Sequence, residues 1–155
     1  MDSKNFVVSG AAHTGFTVTS LSAALTFWHD LLGLPVVHRR KLDLGPEPNP
    51  VGVPYAKMEV ALLSLPGGHQ VELLEYSSPD DRTAMKPRPC DVGNVHLALN
   101  VTNSQGLIAQ ARHLGWVPAA DEPIRVTRGD GTAWSICYLR GPDGATVELL
   151  EKVEQ

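Results

Sequence analysis

The sequence predicts an α+β fold of two tandem modules, each a strand, a helix and about three further strands. Three observations predict it. The pentapeptide VELLE occurs at Val71–Glu75 and again at Val147–Glu151. Upstream of the two copies, His13–Thr19 and His96–Thr102 share the pattern H-x4-V-T. Between these markers each half carries a helical stretch closed by Leu-Gly with a proline just beyond: Leu32-Gly33-Leu34-Pro35 and Leu114-Gly115-Trp116-Val117-Pro118. Self-similarity over the whole chain is stronger evidence of architecture than any single motif.

Each element has a local reason. In the first helix, expected over Ser20–Leu32, residues Leu21, Ala24, Leu25, Trp28 and Leu32 recur at spacings of three and four. Ser20 or Ser22 supplies a cap, and Gly33 suits the left-handed residue after the last turn. In the second helix, Asn103–Leu114, the stripe is Leu107, Ala111 and Leu114, with Asn103 or Ser104 as cap and Gly115 at the end. Lys57–Leu65 and His69–Tyr76 read as a hairpin around Pro66-Gly67-Gly68. Trp134–Leu139 and Thr146–Lys152 are its counterpart around Gly141-Pro142-Asp143-Gly144. The proline-rich stretch Asp43–Pro54 is a loop long enough to cover something. The expected organisation is one domain, residues 1–155, with module 1 over about 10–78, a linker over 79–92 and module 2 over about 93–153.

Composition narrows the function classes. A chain of 155 residues has room for a real core. With 43% hydrophobic and 19% charged residues it has the balance of an ordinary globular protein. The net charge of −4 gives no electrostatic reason to expect a nucleic acid as partner. No basic segment leads into an apolar stretch near Met1, and no apolar run approaches the length of a span, so neither a secretory signal nor a membrane is expected. Cys90 and Cys137 lack CxxC spacing and read as two reduced thiols of a cytoplasmic protein.

The acids inside the apolar runs carry the chemistry. Successive strand residues point to opposite faces. Phe16 and Val18 therefore share one face, while His13, Gly15 and Thr17 take the other. Val95, Leu97, Leu99 and Val101 oppose His96, Ala98 and Asn100 in the same way. Val71 and Leu73 belong under the helix, which leaves Glu72 on the His face, with Glu148 its twin. Each half thus offers one His and one Glu on the concave face of a short sheet. A local two-fold would bring His13, Glu72, His96 and Glu148 to one place. Two imidazoles and two carboxylates suit one divalent metal per chain: Mn, Co, Ni or Fe with room for water, or Zn. A bound cation also explains why a carboxylate sits in VELLE.

The chain resembles the vicinal oxygen chelate superfamily, which includes glyoxalase I, methylmalonyl-CoA epimerase, extradiol dioxygenases and bleomycin resistance proteins. The resemblance runs from about His13 to Lys152 and rests on H-x-G-F-x-V, F-W-x-D-L-L-G-L, both VELLE copies and G-P-D-G. It implies two βαβββ modules forming a cupped, half-barrel mixed sheet around a metal, with His13, Glu72, His96 and Glu148 as ligands. Family habit also implies a homodimer.

The resemblance implies a shared chemistry, in which a metal holds adjacent substrate oxygens and stabilises the anion formed there. The long link between Glu72 and His96 leaves room for both modules of one chain to share a site, as in the epimerase type. The expected function is therefore an epimerase, isomerase or lyase that moves a proton next to the carbonyl of a small carbonyl compound or acyl thioester. Glu72 and Glu148 are the expected catalytic acids, and Asn100 and Tyr138 the expected substrate contacts. The epimerase resemblance calls for a glutamate near Val53–Tyr55, where this chain has Val-Pro-Tyr, with Glu59 and Glu47 nearby. Two alternatives stand beside this reading. Tyr138, ten residues before Glu148, resembles the active-site tyrosine of a ring-cleaving dioxygenase, although Ser77–Val95 lacks the further histidine that enzyme needs. A non-catalytic small-molecule-binding or resistance protein typically lacks a complete ligand set.

Overall fold

The computed structural model describes residues 6–153. Strand β1 (His13–Val18) leads into helix α1 (Leu21–Leu25), which continues as a π-helical turn, Thr26–Leu31, before β2 (Val36–Asp43), β3 (Lys57–Ser64) and β4 (Gln70–Ser78). The second half runs β5 (His96–Asn100), α2 (Ser104–His113), β6 (Val117–Pro118), β7 (Ile124–Thr127), β8 (Ala133–Arg140) and β9 (Thr146–Val153). The first sheet has the order β1-β4-β3-β2. The second has β5-β9-β8-β6, with β7 also on β8. In both, the first strand lies parallel to the VELLE strand, and the remaining pairs are antiparallel. The architecture is α+β with open mixed sheets, and the repeat is real at the level of strand order.

The repeat breaks in one place. Where module 1 has the continuous strand β2, module 2 has two short strands, β6 and β7, separated by Ala119–Pro123. Pairing shows the equivalence: Arg40 faces Val60 on β3, as Ile124 faces Ile136 on β8.

Both caps are among those expected. Ser20 Oγ accepts the Ala23 N–H, and Asn103 Oδ1 accepts the Gly106 N–H. Gly33 and Gly115 take positive φ after the two helices. The buried stripes differ from simple 3.6-residue periodicity. In the first helix Phe27 is buried beside Leu21 and Trp28. The wider π turn, in which the Leu32 N–H reaches the Phe27 carbonyl, rotates Phe27 inward. In α2 the buried line is Ser104, Ile108 and Ala111, with Leu107 and Leu114 flanking it.

One core serves both modules. It joins Leu21, Phe27, Trp28, Leu63, Val71 and Leu73 to Ile108, Ala111, Trp116, Leu139, Val147 and Leu149. At its centre Phe27 stacks on Trp116 with ring centroids 3.7 Å apart, and Trp28 meets both rings edge-on. The apolar face of each sheet is therefore turned toward the other module. A second, smaller cluster forms on the opposite face of the first sheet. There Met58, Val60, Leu74 and Tyr76 are covered by Leu44, Val53 and Ala56 of the loop after β2. That loop folds on the same face as Glu72, because Val60 and Leu62 on β3 face Leu74 and Glu72 on β4.

The linker is fastened at its end. Arg140 Nη2 donates to the Pro87 carbonyl, and the linker backbone at Met85 passes close over Gly144. No helix among the described residues is long and apolar enough to cross a membrane.

Candidate metal centre

Each histidine finds its own glutamate. In the first sheet β1 runs beside β4 with Gly15 opposite Glu72, so His13 and Glu72 share a face, and His13 Nε2 lies 3.3 Å from Glu72 Oε2. In the second, Ala98 is opposite Glu148, and His96 Nε2 lies 3.4 Å from Glu148 Oε2. Two near-identical pairs at repeat-equivalent positions confirm the face assignment made from strand alternation.

The chain does not bring the two pairs together. Among the described residues no group of three or more His, Cys, Asp or Glu side chains stands close enough to hold one ion. The reason is the shared core. Since the apolar faces of both sheets meet in the middle, both His–Glu faces are turned outward. The two imidazoles are 43% and 42% exposed, while the glutamates beside them are held at 19% and 16%. The expected gathering of all four ligands within one chain is not what this packing produces. It produces two separate His–Glu pairs.

The donor set fits a divalent metal. Two atoms bound side by side to one ion at about 2.1 Å each lie about 3.0 Å apart in an octahedron and about 3.4 Å apart in a tetrahedron. The His–Glu separations fall near this interval, and neither pair draws on sulfur.

Around the second pair the site is more developed. Tyr138 is the cross-strand neighbour of Glu148, and its ring meets His96 edge-on at 5.2 Å between centroids. Burial pushes the Tyr138 phenol above its ordinary value, and the negative charge of Glu148 with its hydrogen bond pushes it the same way. The phenol therefore stays protonated at neutral pH and acts as a donor toward Glu148. Asn100 lies on the same exposed face, two residues along from Ala98. Two further groups escaped the sequence reading. Thr146 Oγ1 and Arg140 Nε, which face each other across β8 and β9 beside His96, are buried without a hydrogen-bond partner among the described residues. The available signal was a polar residue immediately before each VELLE, Gln70 and Thr146.

The other histidines have structural employment or none. His29 Nδ1 bonds the Leu34 carbonyl, and His69 Nε2 bonds Thr14 Oγ1. His113 is exposed. Cys90 and Cys137 are free thiols, one exposed and one buried.

An open mixed sheet from a repeated strand–helix–strands unit, with a His–Glu pair in each copy, defines a recognisable class of scaffold. Residues 12–138 match the Glyoxalase/Bleomycin resistance protein/Dioxygenase superfamily, and the chain belongs to it. A 2-epi-5-epi-valiolone epimerase from an Actinomyces species is 28% identical over 151 aligned residues, covering 89% of this chain and 76% of that protein. Among solved structures, a glyoxalase family protein from Bacillus cereus superposes with a TM-score of 0.81 at 18% identity, covering 98% of this chain and 99% of that one. Leishmania major glyoxalase I superposes with a TM-score of 0.59 at 21% identity, covering 93% and 87%. These structures share the fold.

Proposed function

We propose that the protein is a metal-dependent epimerase of the glyoxalase superfamily that inverts a carbon next to a ketone or thioester carbonyl, working as a homodimer. The observation that carries this is the pair of equivalent, outward-facing His–Glu half-sites. An outward half-site from one copy meets the complementary half-site of a second copy, so a two-fold dimer holds two complete sites. His13 and Glu72 of one chain then join His96 and Glu148 of the other.

A divalent metal held there, Co, Ni, Mn, Fe or Zn, supplies Lewis-acid polarisation of adjacent substrate oxygens. The chain supplies the proton movement. Glu72 and Glu148 enter from two facing sheets, so the reacting carbon lies between two carboxylates. One removes the α-proton and the other returns a proton to the opposite face, which inverts the centre. Tyr138 stands across the strand pair from Glu148, its phenol protonated at neutral pH. Leu62, Leu74, Ile136 and Leu150, half-buried on the same faces, limit water at the carbon that carries the charge.

The relative named for an epimerase reaction supports this choice over lyase chemistry. The test is solvent-deuterium wash-in, using 2-epi-5-epi-valiolone, simple α-hydroxy ketones and 2-substituted acyl-CoAs. Metal-loaded protein is expected to exchange the α-proton of one of these. Exchange at the same rate after chelation would contradict the proposal.

A further inference from the structure

The face that carries His13 and Glu72 extends across the first sheet to its edge strand. Counting along the pairings, Gly15, Glu72, Leu62 and His38 form one row, and Thr17, Leu74, Val60 and Arg40 form the next. Arg40 therefore stands on the site face, two strands and one row from Glu72, a separation of about 12 Å between Cα atoms. Its neighbours are engaged elsewhere. Arg39 Nε bonds Glu59 Oε1 at 2.6 Å, and Lys57 Nζ pairs with Asp43 at 2.9 Å. Lys41 lines an open groove with Glu59 and Glu75 on the other face. Arg40 is exposed and has no hydrogen bond or ion pair among the described residues. His38 is exposed beside it, likewise without a partner.

The second module differs: its Arg128 lies over the Trp134 ring at 4.7 Å, and Arg140 is tied to the Pro87 carbonyl. The position equivalent to Arg40 is Ile124, and the next residue on that face is Val126, both exposed. The two rims of the site face thus differ: one carries a guanidinium without a partner among the described residues, the other an apolar edge whose guanidinium, Arg128, is held over an indole ring. A strand edge made this asymmetric inside a symmetric repeat fits a substrate whose two ends differ.

We propose that Arg40 is a specificity-determining residue that receives an anionic group of the substrate, a phosphate or carboxylate several bonds from the reacting carbon. A guanidinium presents paired donors that match either oxyanion. The proposal rests on the site function given above and names the chemistry of the substrate's far end.

The test compares three α-hydroxy ketones binding to the metal-loaded protein by calorimetry: ribulose 5-phosphate, 5-ketogluconate and uncharged ribulose. At least one anionic ketone is expected to bind about tenfold or more tightly than ribulose. Arg40→Gln should abolish that preference while leaving ribulose binding unchanged, and Arg40→Lys should restore part of it. Arg39→Gln, on the opposite face, should leave the preference intact. Which anion is preferred identifies the group. Equal binding of all three ketones by the parent, or a preference that survives Arg40→Gln, would overturn the proposal. Deuterium wash-in on the same samples separates the two readings. A charge preference that depends on Arg40, without any α-proton exchange, leaves the Arg40 assignment standing and removes the epimerase.

Discussion

Glu151 closes the N-terminus of α2 through Ser104: its carboxylate accepts the Ser104 N–H at 2.9 Å and the Ser104 hydroxyl at 2.6 Å, and also takes the Asn103 N–H at 2.6 Å. Glu75 makes the matching contact in module 1, accepting the Leu21 N–H at 2.6 Å. The two acids of VELLE therefore divide the labour. The first lies beside the histidine of its module, and the last satisfies the backbone donors that the helix start leaves open.

The hydrogen bonds from Ser104 and Asn103 hold the Glu151 carboxyl below the usual carboxylate range. A group depressed in the folded state contributes stability above its unfolded value, lost as pH falls through the folded one. Urea titrations of Glu151→Gln should therefore show a loss of about 1 kcal/mol near neutral pH, the size of a helix cap, shrinking below about pH 4. A loss of equal size at every pH would show that the ionised carboxylate is not the group that matters.

Phe27 and Trp116 tie the modules together. Phe27→Ala should cost about 3–5 kcal/mol in chemical denaturation, as for a large buried aromatic. A double-mutant cycle with Trp116→Leu should return a coupling of about 1 kcal/mol. Additive effects would mean that the stack contributes nothing beyond its buried area.

Gly144 has φ +86°, and a Cβ there would collide with the Met85 carbonyl oxygen. Gly144→Ala should destabilise by more than about 1 kcal/mol and loosen the linker. Gly10→Ala, with nothing within 4 Å, is the control. Faster proteolysis between residues 79 and 92 in the first variant alone would confirm it.

Much of this was legible in the chain. Strand alternation assigned His13, Glu72, His96 and Glu148 to their faces, because period-two geometry leaves no freedom once VELLE is read as a strand. The caps at Ser20 and Asn103 followed from side-chain chemistry. Other features were not legible, for identifiable reasons. Phe27 is buried by a π turn that a 3.6-residue period does not contain. The break between β6 and β7 lies in Ala119–Pro123, where no strong pattern marks it. The role of Glu75 and Glu151 depends on where the strand ends relative to the helix start, a tertiary fact. Which face of each sheet meets the other module is likewise decided by packing, so alternation alone did not separate one site per chain from two half-sites.

Glu72→Gln and Glu148→Gln are expected to retain metal, since an amide oxygen still coordinates, while α-proton exchange falls about a hundredfold or more. Metal analysis beside deuterium wash-in checks this. Parent-rate exchange in the metal-loaded double variant would transfer the proton movement to another group; Glu59 is not that group, since it pairs with Arg39 on the opposite face of the sheet.

Complementation between two inactive variants addresses the half-sites most directly. His13→Ala disables the first sheet's pair and His96→Ala the second's, so neither variant alone holds a complete ligand set. If sites form between chains, unfolding and refolding the two variants together yields mixed dimers with one intact site, built from His13 and Glu72 of one chain and His96 and Glu148 of the other. At random pairing, tight metal binding should recover to about a quarter of the parent stoichiometry, with α-proton exchange alongside it. Recovery of neither on mixing, with each variant binding metal as it does alone, would contradict a site shared between chains.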